Sequence, residues 1–245
     1  MKERKISAGS YDLNKFLFGG YETDIITTVY GPGGSGKTNL CMIASVSQAK
    51  KGGKVIYVDT EGGFSSERVA QIMNVKNSNI SSVLENIILL KPTSFKEQEK
   101  DFEKLLEHVK QGNVSLIVID SIAMLYRLEL ADAIKSKNEL KIKEVNSNLA
   151  SQLRKLNEIA RKQNIPIIVT NQVYSLFVQG ADNIDKEKQI SMVGGDLLKY
   201  WSKCLMELKR DGTKRTLILK KHRSLPEKKL DFEIVDAGIR KKGWI

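Results

Sequence analysis

Residues 31–38 read GPGGSGKT, and this run lies between a short apolar segment at 25–30 and a helical pattern that starts at Lys37. The spacing is that of the P-loop, in which glycines let backbone amides converge on phosphate oxygens at the start of a helix. In such a loop Lys37 reaches the outer phosphates and the Thr38 hydroxyl ligates Mg²⁺. The run therefore predicts a nucleoside triphosphate site, formed by Gly31, Gly33, Gly34, Ser35, Gly36, Lys37 and Thr38.

Two carboxylates that follow other apolar segments complete the predicted site. Asp120 ends the run LIVID at 116–120, and a P-loop site needs such an acidic residue to hold the water shell of Mg²⁺. Glu61 follows the apolar segment 55–59, so it would lie at the same edge of a parallel sheet and could deprotonate water. The residues alone leave Glu61 open between a catalytic base and a surface turn carboxylate.

Short apolar segments alternate with helical patterns along the chain. Strands are predicted at 25–30, 55–59, 87–90, 116–120 and 167–170. Helices are predicted at 37–51, after the capping box of Ser94 and Glu97, and from Ile142 to near Asn164. This alternation predicts an α/β fold with a mainly parallel sheet flanked by helices. A C-terminal antiparallel hairpin is predicted from strands at 205–209 and 216–220, and we expect a single domain over residues 1–245.

Two segments lack a clear helix or strand pattern. Residues 128–141 are charged and weakly periodic, and residues 174–193 are polar with Gly180 near the middle. Loops of this length inside a compact domain are usually functional. Both segments are therefore candidates for ligand or partner contacts.

Positive charge is concentrated near the C-terminus of the chain. The 245 residues include 40 basic and 29 acidic side chains, which gives a net charge of +11. Residues 199–245 hold 14 basic and 6 acidic residues, or +8, whereas residues 1–198 hold 26 and 23, or +3. A basic region of this kind fits binding to a polyanion such as nucleic acid, and it equally fits a solvated lysine-rich surface.

Composition argues against several other classes of protein. No apolar run approaches the roughly 18 residues that span a bilayer, and the first residues do not resemble a secretory signal. Two cysteines and two histidines leave little material for a zinc site, a disulfide framework or a Ser-His-Asp triad. We expect a cytoplasmic protein that does not contact a membrane.

Several motifs together resemble the ATPase core of the RecA-type recombinases, and within them the archaeal RadB paralogues. They are the P-loop, SAGS at 7–10, TEG at 60–62, Asp120-Ser121, LYR at 125–127, TNQV at 170–173 and Gly194-Gly195. The resemblance covers most of the chain and implies a RecA-like P-loop ATPase core that binds ATP and Mg²⁺. It also implies that Glu61 activates water, that Gln172 senses the γ-phosphate and that Arg68 stacks on adenine.

The same resemblance places the two unassigned segments where recombinases carry DNA-binding loops. Residues 128–143 and 174–193 would then approach single-stranded or branched DNA. The basic candidates for phosphate contacts are Arg127, Lys135, Lys137, Lys141 and Lys143. The alternative is a solvated helix start, because Asp132 and Glu139 are interspersed with these lysines.

Lys221-His222-Arg223 is similar to a Lys-x-Arg element that reaches the neighbour's γ-phosphate in RecA-like assemblies such as KaiC. The resemblance implies that Lys221 and Arg223 act in trans in a homo-oligomer, as an arginine finger does. The alternative is that both side chains simply belong to the basic surface.

Two departures from the recombinase pattern shape the expected function. Only about two dozen residues precede the first core strand, with 1–22 as a short opening segment, which leaves no room for the N-terminal helical DNA-binding domain. No Phe has Ala three residues later, so the Phe-x-x-Ala tether for polymerisation is absent. The resemblance then implies an accessory protein of homologous recombination and DNA repair, a weak Mg²⁺-dependent ATPase without autonomous strand exchange. Alternatives are a nucleotide-switched module that docks on the main recombinase or a junction nuclease, and a KaiC-like ring ATPase.

Overall fold

A computed structural model of the chain describes residues 5–74, 80–175, 190–192 and 194–243. Ten of its strands form one twisted sheet, and the other two, β1 and β2, pair with each other. The strands are β1 (Lys5–Ile6), β2 (Tyr21–Glu22), β3 (Ile26–Gly31), β4 (Lys54–Asp59), β5 (Ile87–Leu90), β6 (Val114–Asp120), β7 (Ile167–Ser175), β8 (Ile190–Met192), β9 (Cys204–Asp211), β10 (Lys214–Lys221), β11 (Lys228–Val235) and β12 (Gly238–Lys241). The helices are α1 (Tyr11–Phe16), α2 (Lys37–Ala49), α3 (Ser66–Met73), α4 (Ser81–Leu84), α5 (Phe95–Lys110), α6 (Met124–Lys135), α7 (Glu139–Gln163) and α8 (Gly195–Trp201).

The large sheet has a parallel half and an antiparallel half. Its order is β12-β11-β10-β9-β3-β7-β6-β4-β5, and β8 pairs with β7 outside this path. All neighbours from β9 to β5 are parallel, whereas β9, β10, β11 and β12 pair antiparallel in succession. The parallel strands β3, β4, β6 and β7 therefore all end at one side of the sheet, called the carboxyl edge below, and begin at the opposite amino edge.

Helices cover both faces of the parallel half. The apolar residues of these strands alternate between two buried clusters, so Tyr57 and Val118 pack with α2 while Val58 and Ile119 pack with α5 and α7. Near-continuous apolar strands are expected for a sheet buried on both faces. Because both faces are buried, residues 54–58 and 116–119 are almost all apolar and do not alternate with polar residues.

The predicted fold class is confirmed by this architecture. All five predicted strands and the helix after the P-loop are present with bounds that shift by a few residues, and the C-terminal hairpin is formed by β9 and β10. The antiparallel part is larger than the predicted hairpin, because β11 and β12 extend it. β11 has apolar residues at alternate positions, Leu230, Phe232 and Ile234, and its four charged residues, two of which open the strand, make this period hard to recognise.

The prediction that residues 128–141 lack regular structure is wrong. This segment ends α6 and begins α7, and only residues 136–138 separate the two helices. Asn138 caps α7 by accepting a hydrogen bond from the amide of Lys141 at 3.0 Å. The helical repeat of apolar residues is hard to recognise in this segment, because many of its residues are charged and the few that face the core are widely spaced. Of the second segment, 174–193, residues 176–189 and 193 lie outside the described residues.

No helix in the described part of the chain is both long enough and apolar enough to cross a bilayer.

Candidate active site

The P-loop joins β3 to α2 at the carboxyl edge. Gly36 precedes the first residue of α2 and has a φ of 106°, and Gly34 has a φ of 67°. Both values lie in the left-handed region that favours glycine. Ser35 and Lys37, next to these glycines, are buried, so the loop packs against the core of the protein.

Two carbonyl groups of the loop bind the Lys37 ammonium group. Its Nζ donates to the carbonyl oxygens of Gly31 and Pro32, both at 2.9 Å. Burial lowers the pKa of Lys37, and the nearby carboxylates of Glu61 and Asp120 oppose that shift. A cation that is bound to neutral carbonyls retains its capacity to attract an anion.

Asp120 ends β6 beside the P-loop and is almost completely buried. Its Oδ1 accepts from Thr170 Oγ1 at 2.6 Å and its Oδ2 accepts from Tyr57 OH at 2.9 Å. Burial raises the pKa of Asp120, and hydrogen bonds from Thr170, Thr38 and Tyr57 favour the ionised form and limit the rise. The pairing of Thr38 with Asp120 brings together the two residues that the sequence assigns to Mg²⁺.

Glu61 lies at the same edge, in the turn after β4. Its Oε1 accepts from Ser121 Oγ at 2.5 Å and from Gln172 Nε2 at 2.6 Å. The structure thus brings Glu61, Gln172 and the P-loop around one pocket of about 330 Å³. The pocket is lined by Gly33, Gly34, Gly36, Lys37, Thr38, Asn39, Met42, Glu61, Gly63, Arg68 and Gln172.

Asp59 is a site residue that sequence reasoning missed. Its Oδ1 accepts from the amides of Glu61, Gly62 and Gly63 at 3.3, 2.9 and 3.1 Å, and its Oδ2 accepts from the amide of Phe64 at 2.9 Å. Asp59 therefore fixes the turn that carries Glu61. The signal was present in the sequence, because Asp followed by a Gly-Gly pair is typical of a turn closed by an acidic side chain.

Arg68 lines the far end of the pocket and joins three elements. Its guanidinium donates to Asn39 Oδ1 at 2.7 and 2.9 Å, to Gln71 Oε1 at 2.9 Å and to the carbonyl of Val235 at 2.8 Å. Partial burial lowers the pKa of Arg68. These bonds lie around the rim of the planar group, an arrangement compatible with stacking on its face.

The antiparallel extension forms an outer wall of the P-loop, which the sequence did not predict. A Cβ atom at Gly31 would collide with the backbone of Leu208 in β9, and one at Gly36 would lie 3.2 Å from Ile234 in β11. Arg210 Nη1 also donates to the carbonyl of Gly34 at 3.4 Å. These glycines therefore serve close packing as well as phosphate access.

Lys221 and Arg223 lie at the amino edge, away from the P-loop. β10 runs antiparallel to β9 and ends where Lys221 pairs with Leu205, near the start of β9. Arg223 donates to Glu22 at 2.8 Å and to Asp24 at 2.7 Å, and Lys221 Nζ donates to the carbonyls of Lys199 and Ser202 at 3.0 and 2.8 Å. The structure does not bring these two cations to the site of their own chain.

The DNA candidates lie on the helical pair formed by α6 and α7. Lys141 contacts Glu129 at 3.2 Å and Glu144 at 3.5 Å, and Lys135 lies 3.9 Å from Asp132. Lys137 and Lys143 have no ion pair within 4.0 Å in the part of the chain that is described. Arg127 belongs to the first of the two helices. Exposed pairs of this kind contribute little stability, so they leave the lysines available to other anions.

The residues of the pocket fit a nucleotide with Mg²⁺. Within the described part of the chain, the buried Ser35 Oγ has no hydrogen-bond partner, which is consistent with a hydroxyl that would bond to a ligand of the loop. Nothing would contact a Cβ at Gly33, so the concave side of the loop is open. One carboxylate and one hydroxyl suffice for Mg²⁺, since phosphates and water supply its other ligands. Accordingly, the described residues include no cluster of three or more His, Cys, Asp or Glu side chains suited to a metal ion.

The chain is similar to known proteins over nearly its whole length. Residues 2–242 match the Rad51 family. The DNA repair and recombination protein RadB of Methanocaldococcus jannaschii is 42% identical over 227 residues, which cover 93% of this chain and 98% of the relative. The proteins of the same name from Methanosphaera stadtmanae and Methanococcoides burtonii are 39% and 34% identical, covering 93% and 98% of this chain and 92% and 99% of theirs.

Proposed function

The chain belongs to the Rad51 family, and from this premise we propose that it is an ATP- and DNA-binding protein of DNA repair and recombination, with weak ATPase activity. Its relatives that carry the RadB name are described as DNA repair and recombination proteins, and they align over nearly their whole length. The similarity supports the general role, and the pocket supports the ligand.

The observation that carries the nucleotide proposal is the bonding of two buried polar groups in the P-loop. Among the described residues, the Lys37 ammonium group donates to neutral carbonyls and the buried Ser35 hydroxyl has no hydrogen-bond partner. Burying such groups costs free energy unless a ligand supplies hydrogen bonds. A triphosphate at the start of α2 would supply them.

Each residue of the pocket then has a distinct role. Lys37 and the loop amides bind phosphate, Thr38 and Asp120 hold Mg²⁺, Glu61 accepts a proton from water and Gln172 responds to the terminal phosphate. Bound Mg²⁺ would neutralise the charge that develops on the phosphates during hydrolysis. Arg68 would contact the base. Turnover is expected to be slow because Lys221 and Arg223, the cations proposed to act in trans, are engaged within their own chain.

DNA binding is proposed for the basic surface of α6 and α7 together with the C-terminal region. Lys137 and Lys143 are exposed, and neither has an acidic partner within 4.0 Å among the residues described. Phosphate contacts of this type act independently of sequence and weaken steeply with salt. Residues 176–189, which complete the second proposed DNA segment, are outside the described part of the chain.

The test is binding of labelled single-stranded and branched DNA at increasing salt, with and without Mg·ATP. We expect submicromolar to micromolar affinity at low salt that falls at least tenfold between about 50 and 200 mM salt. The double variant Lys137→Ala with Lys143→Ala should reduce both the affinity and the salt slope. The double variant Lys96→Ala with Lys100→Ala, at two exposed lysines of α5, is the matched control. Undetectable binding at low salt with ATP present would contradict the proposal.

A nucleotide-switched docking module is the second candidate. The intramolecular contacts of Lys221 and Arg223 favour it over a KaiC-like ring ATPase, because a ring would need both side chains at its subunit interfaces. In that case the main recombinase or a junction nuclease would be the partner. Glu61→Gln should then preserve docking while Lys37→Ala abolishes it. Equal loss in both variants would show that turnover is required.

A further inference from the structure

Ser121, the residue after Asp120, has an unusual backbone conformation at the carboxyl edge. Its φ is 73°, a left-handed value that is uncommon for residues other than glycine. Such a conformation persists only where the surroundings enforce it, and it is concentrated at functional sites. The conformation at Ser121 therefore calls for a physical explanation.

Hydrogen bonds to two neighbouring segments hold the backbone around Ser121. Its amide donates to Thr170 Oγ1 at 2.7 Å, and the Thr60 hydroxyl donates to its carbonyl at 2.9 Å and to that of Asp120 at 3.0 Å. The amide of Ile122 donates to the carbonyl of Thr170 at 3.1 Å. The turn is thus tied to β7 on one side and to the segment before Glu61 on the other.

The side chain of Ser121 uses this fixed backbone to hold Glu61. Ser121 Oγ donates to Glu61 Oε1 at 2.5 Å, and Gln172 Nε2 donates to the same oxygen at 2.6 Å. Glu61 Oε2 has no hydrogen-bond partner among the described residues. One carboxylate oxygen is therefore anchored twice while the other is left to accept a proton.

We propose that Ser121 is a positioning residue for Glu61, and that its left-handed backbone exists to direct its hydroxyl to Glu61 Oε1. The proposal rests on the proposed ATPase function. Thr170 connects the Ser121 turn to Asp120, the carboxylate proposed to hold Mg²⁺. Its hydroxyl accepts from the Ser121 amide and donates to Asp120 Oδ1 at 2.6 Å. The orientation of Glu61 is thereby coupled to the residue proposed to hold Mg²⁺.

Ser121→Gly and Ser121→Ala separate the hydroxyl from the backbone. Glycine adopts the left-handed conformation without strain, whereas alanine does not. We expect the melting temperature of Ser121→Gly to exceed that of Ser121→Ala. Both variants should nevertheless lose about tenfold in kcat, with KM and the Kd for ATP unchanged, since one of the two anchors of Glu61 is gone in each. Ser82→Ala, on the exposed surface of α4, is the matched control.

A double-variant cycle with Glu61→Gln is the decisive part of the experiment. If Ser121 acts through Glu61, adding Ser121→Gly to Glu61→Gln should lower kcat by less than twofold. Ser121→Cys, which retains a weak donor, should have a kcat above that of Ser121→Ala. A wild-type kcat in Ser121→Gly, or a full tenfold further loss in the Glu61→Gln background, would overturn the positioning role. Absence of turnover in the wild-type protein would overturn the proposed ATPase function, and this role with it.

Discussion

The charged groups at the two edges of the parallel sheet differ in the partners that they bind. At the carboxyl edge, Lys37 donates to two carbonyl groups, and Ser35 Oγ has no hydrogen-bond partner among residues 5–74, 80–175, 190–192 and 194–243. At the amino edge, Glu22 and Asp24 bind Arg223 through hydrogen-bonded ion pairs of 2.8 and 2.7 Å. A charge that is hydrogen-bonded to an opposite charge inside the chain stabilises the fold, whereas a cation that is bonded to neutral carbonyls beside a pocket indicates an anionic ligand.

This difference explains why a pocket alone does not identify a site. The amino-edge cavity, near Lys5, Glu22, Asp24 and Arg223, has a volume of about 690 Å³ and exceeds the P-loop pocket at about 330 Å³. Its charges neutralise each other, and Lys5 Nζ donates to the carbonyls of Leu17 and Phe18. The smaller pocket is the better candidate because Lys37, Glu61 and Gln172 converge on it and the ammonium group of Lys37 is bonded to neutral carbonyl groups.

Lys37→Ala should have the largest effect of the variants proposed here, a loss of ATP affinity. It tests whether the carboxyl edge, and not the amino edge, binds the nucleotide. Removing the ammonium group should weaken ATP binding at least 100-fold, because charge-assisted bonds to phosphate contribute about 3 kcal/mol or more. Thermal unfolding should remain cooperative. Titration with a fluorescent ATP analogue measures the loss. Lys221→Ala, at the amino edge, should bind nucleotide like the wild type, and equal affinities of all three proteins would contradict the account.

Glu61→Gln should have the second-largest effect, a fall in kcat. The amide cannot accept the proton from water, so we expect kcat to fall about 100-fold or more while the Kd for ATP changes less than threefold. Steady-state phosphate release gives kcat. Glu67→Gln changes an exposed carboxylate of the neighbouring helix and serves as control. Full activity in Glu61→Gln would assign the carboxylate to the surface turn instead.

At the amino edge, Arg223→Ala should reduce stability without affecting nucleotide binding by the isolated chain. It leaves the buried Glu22 carboxylate without its guanidinium partner, at a cost of about 1–3 kcal/mol. Urea unfolding of the variant, with Arg161→Ala as the exposed control, measures the change. A loss of ATP affinity by Arg223→Ala at a concentration where the protein is monomeric would show that the two edges are not independent.

His222 should produce the smallest effect, a dependence of stability on pH. Burial lowers the pKa of His222, while nearby Glu22 opposes the shift, and its Nδ1 accepts from the amides of Ser224 and Leu225 at 3.1 and 3.2 Å. The unfolded chain therefore binds the proton more tightly, and stability falls as pH drops below about 6.5 towards the folded pKa. His222→Gln should flatten this part of a urea-unfolding profile between pH 5 and 7. An unchanged slope would assign the dependence to other groups.

Features that are contiguous in the chain could be predicted from it. The P-loop, the strand that ends at Asp120 and the turn with Glu61 each lie within a few residues, so local patterns sufficed. The pairing of Arg223 with Glu22 joins residues 201 positions apart, and no local pattern encodes it. The wall that β11 places against Gly36 depends in the same way on tertiary packing. The helical pair α6 and α7 was missed because its core-facing residues are sparse.

Calorimetric titration of the wild-type protein with ATP, in the presence of Mg²⁺, tests most directly whether the pocket beside Lys37 at the carboxyl edge is a nucleotide site. The account predicts saturable binding of one nucleotide per chain, with weaker binding when Mg²⁺ is chelated. No heat of binding for ATP or ADP at millimolar nucleotide with Mg²⁺ present, confirmed by an unshifted melting temperature, would contradict it.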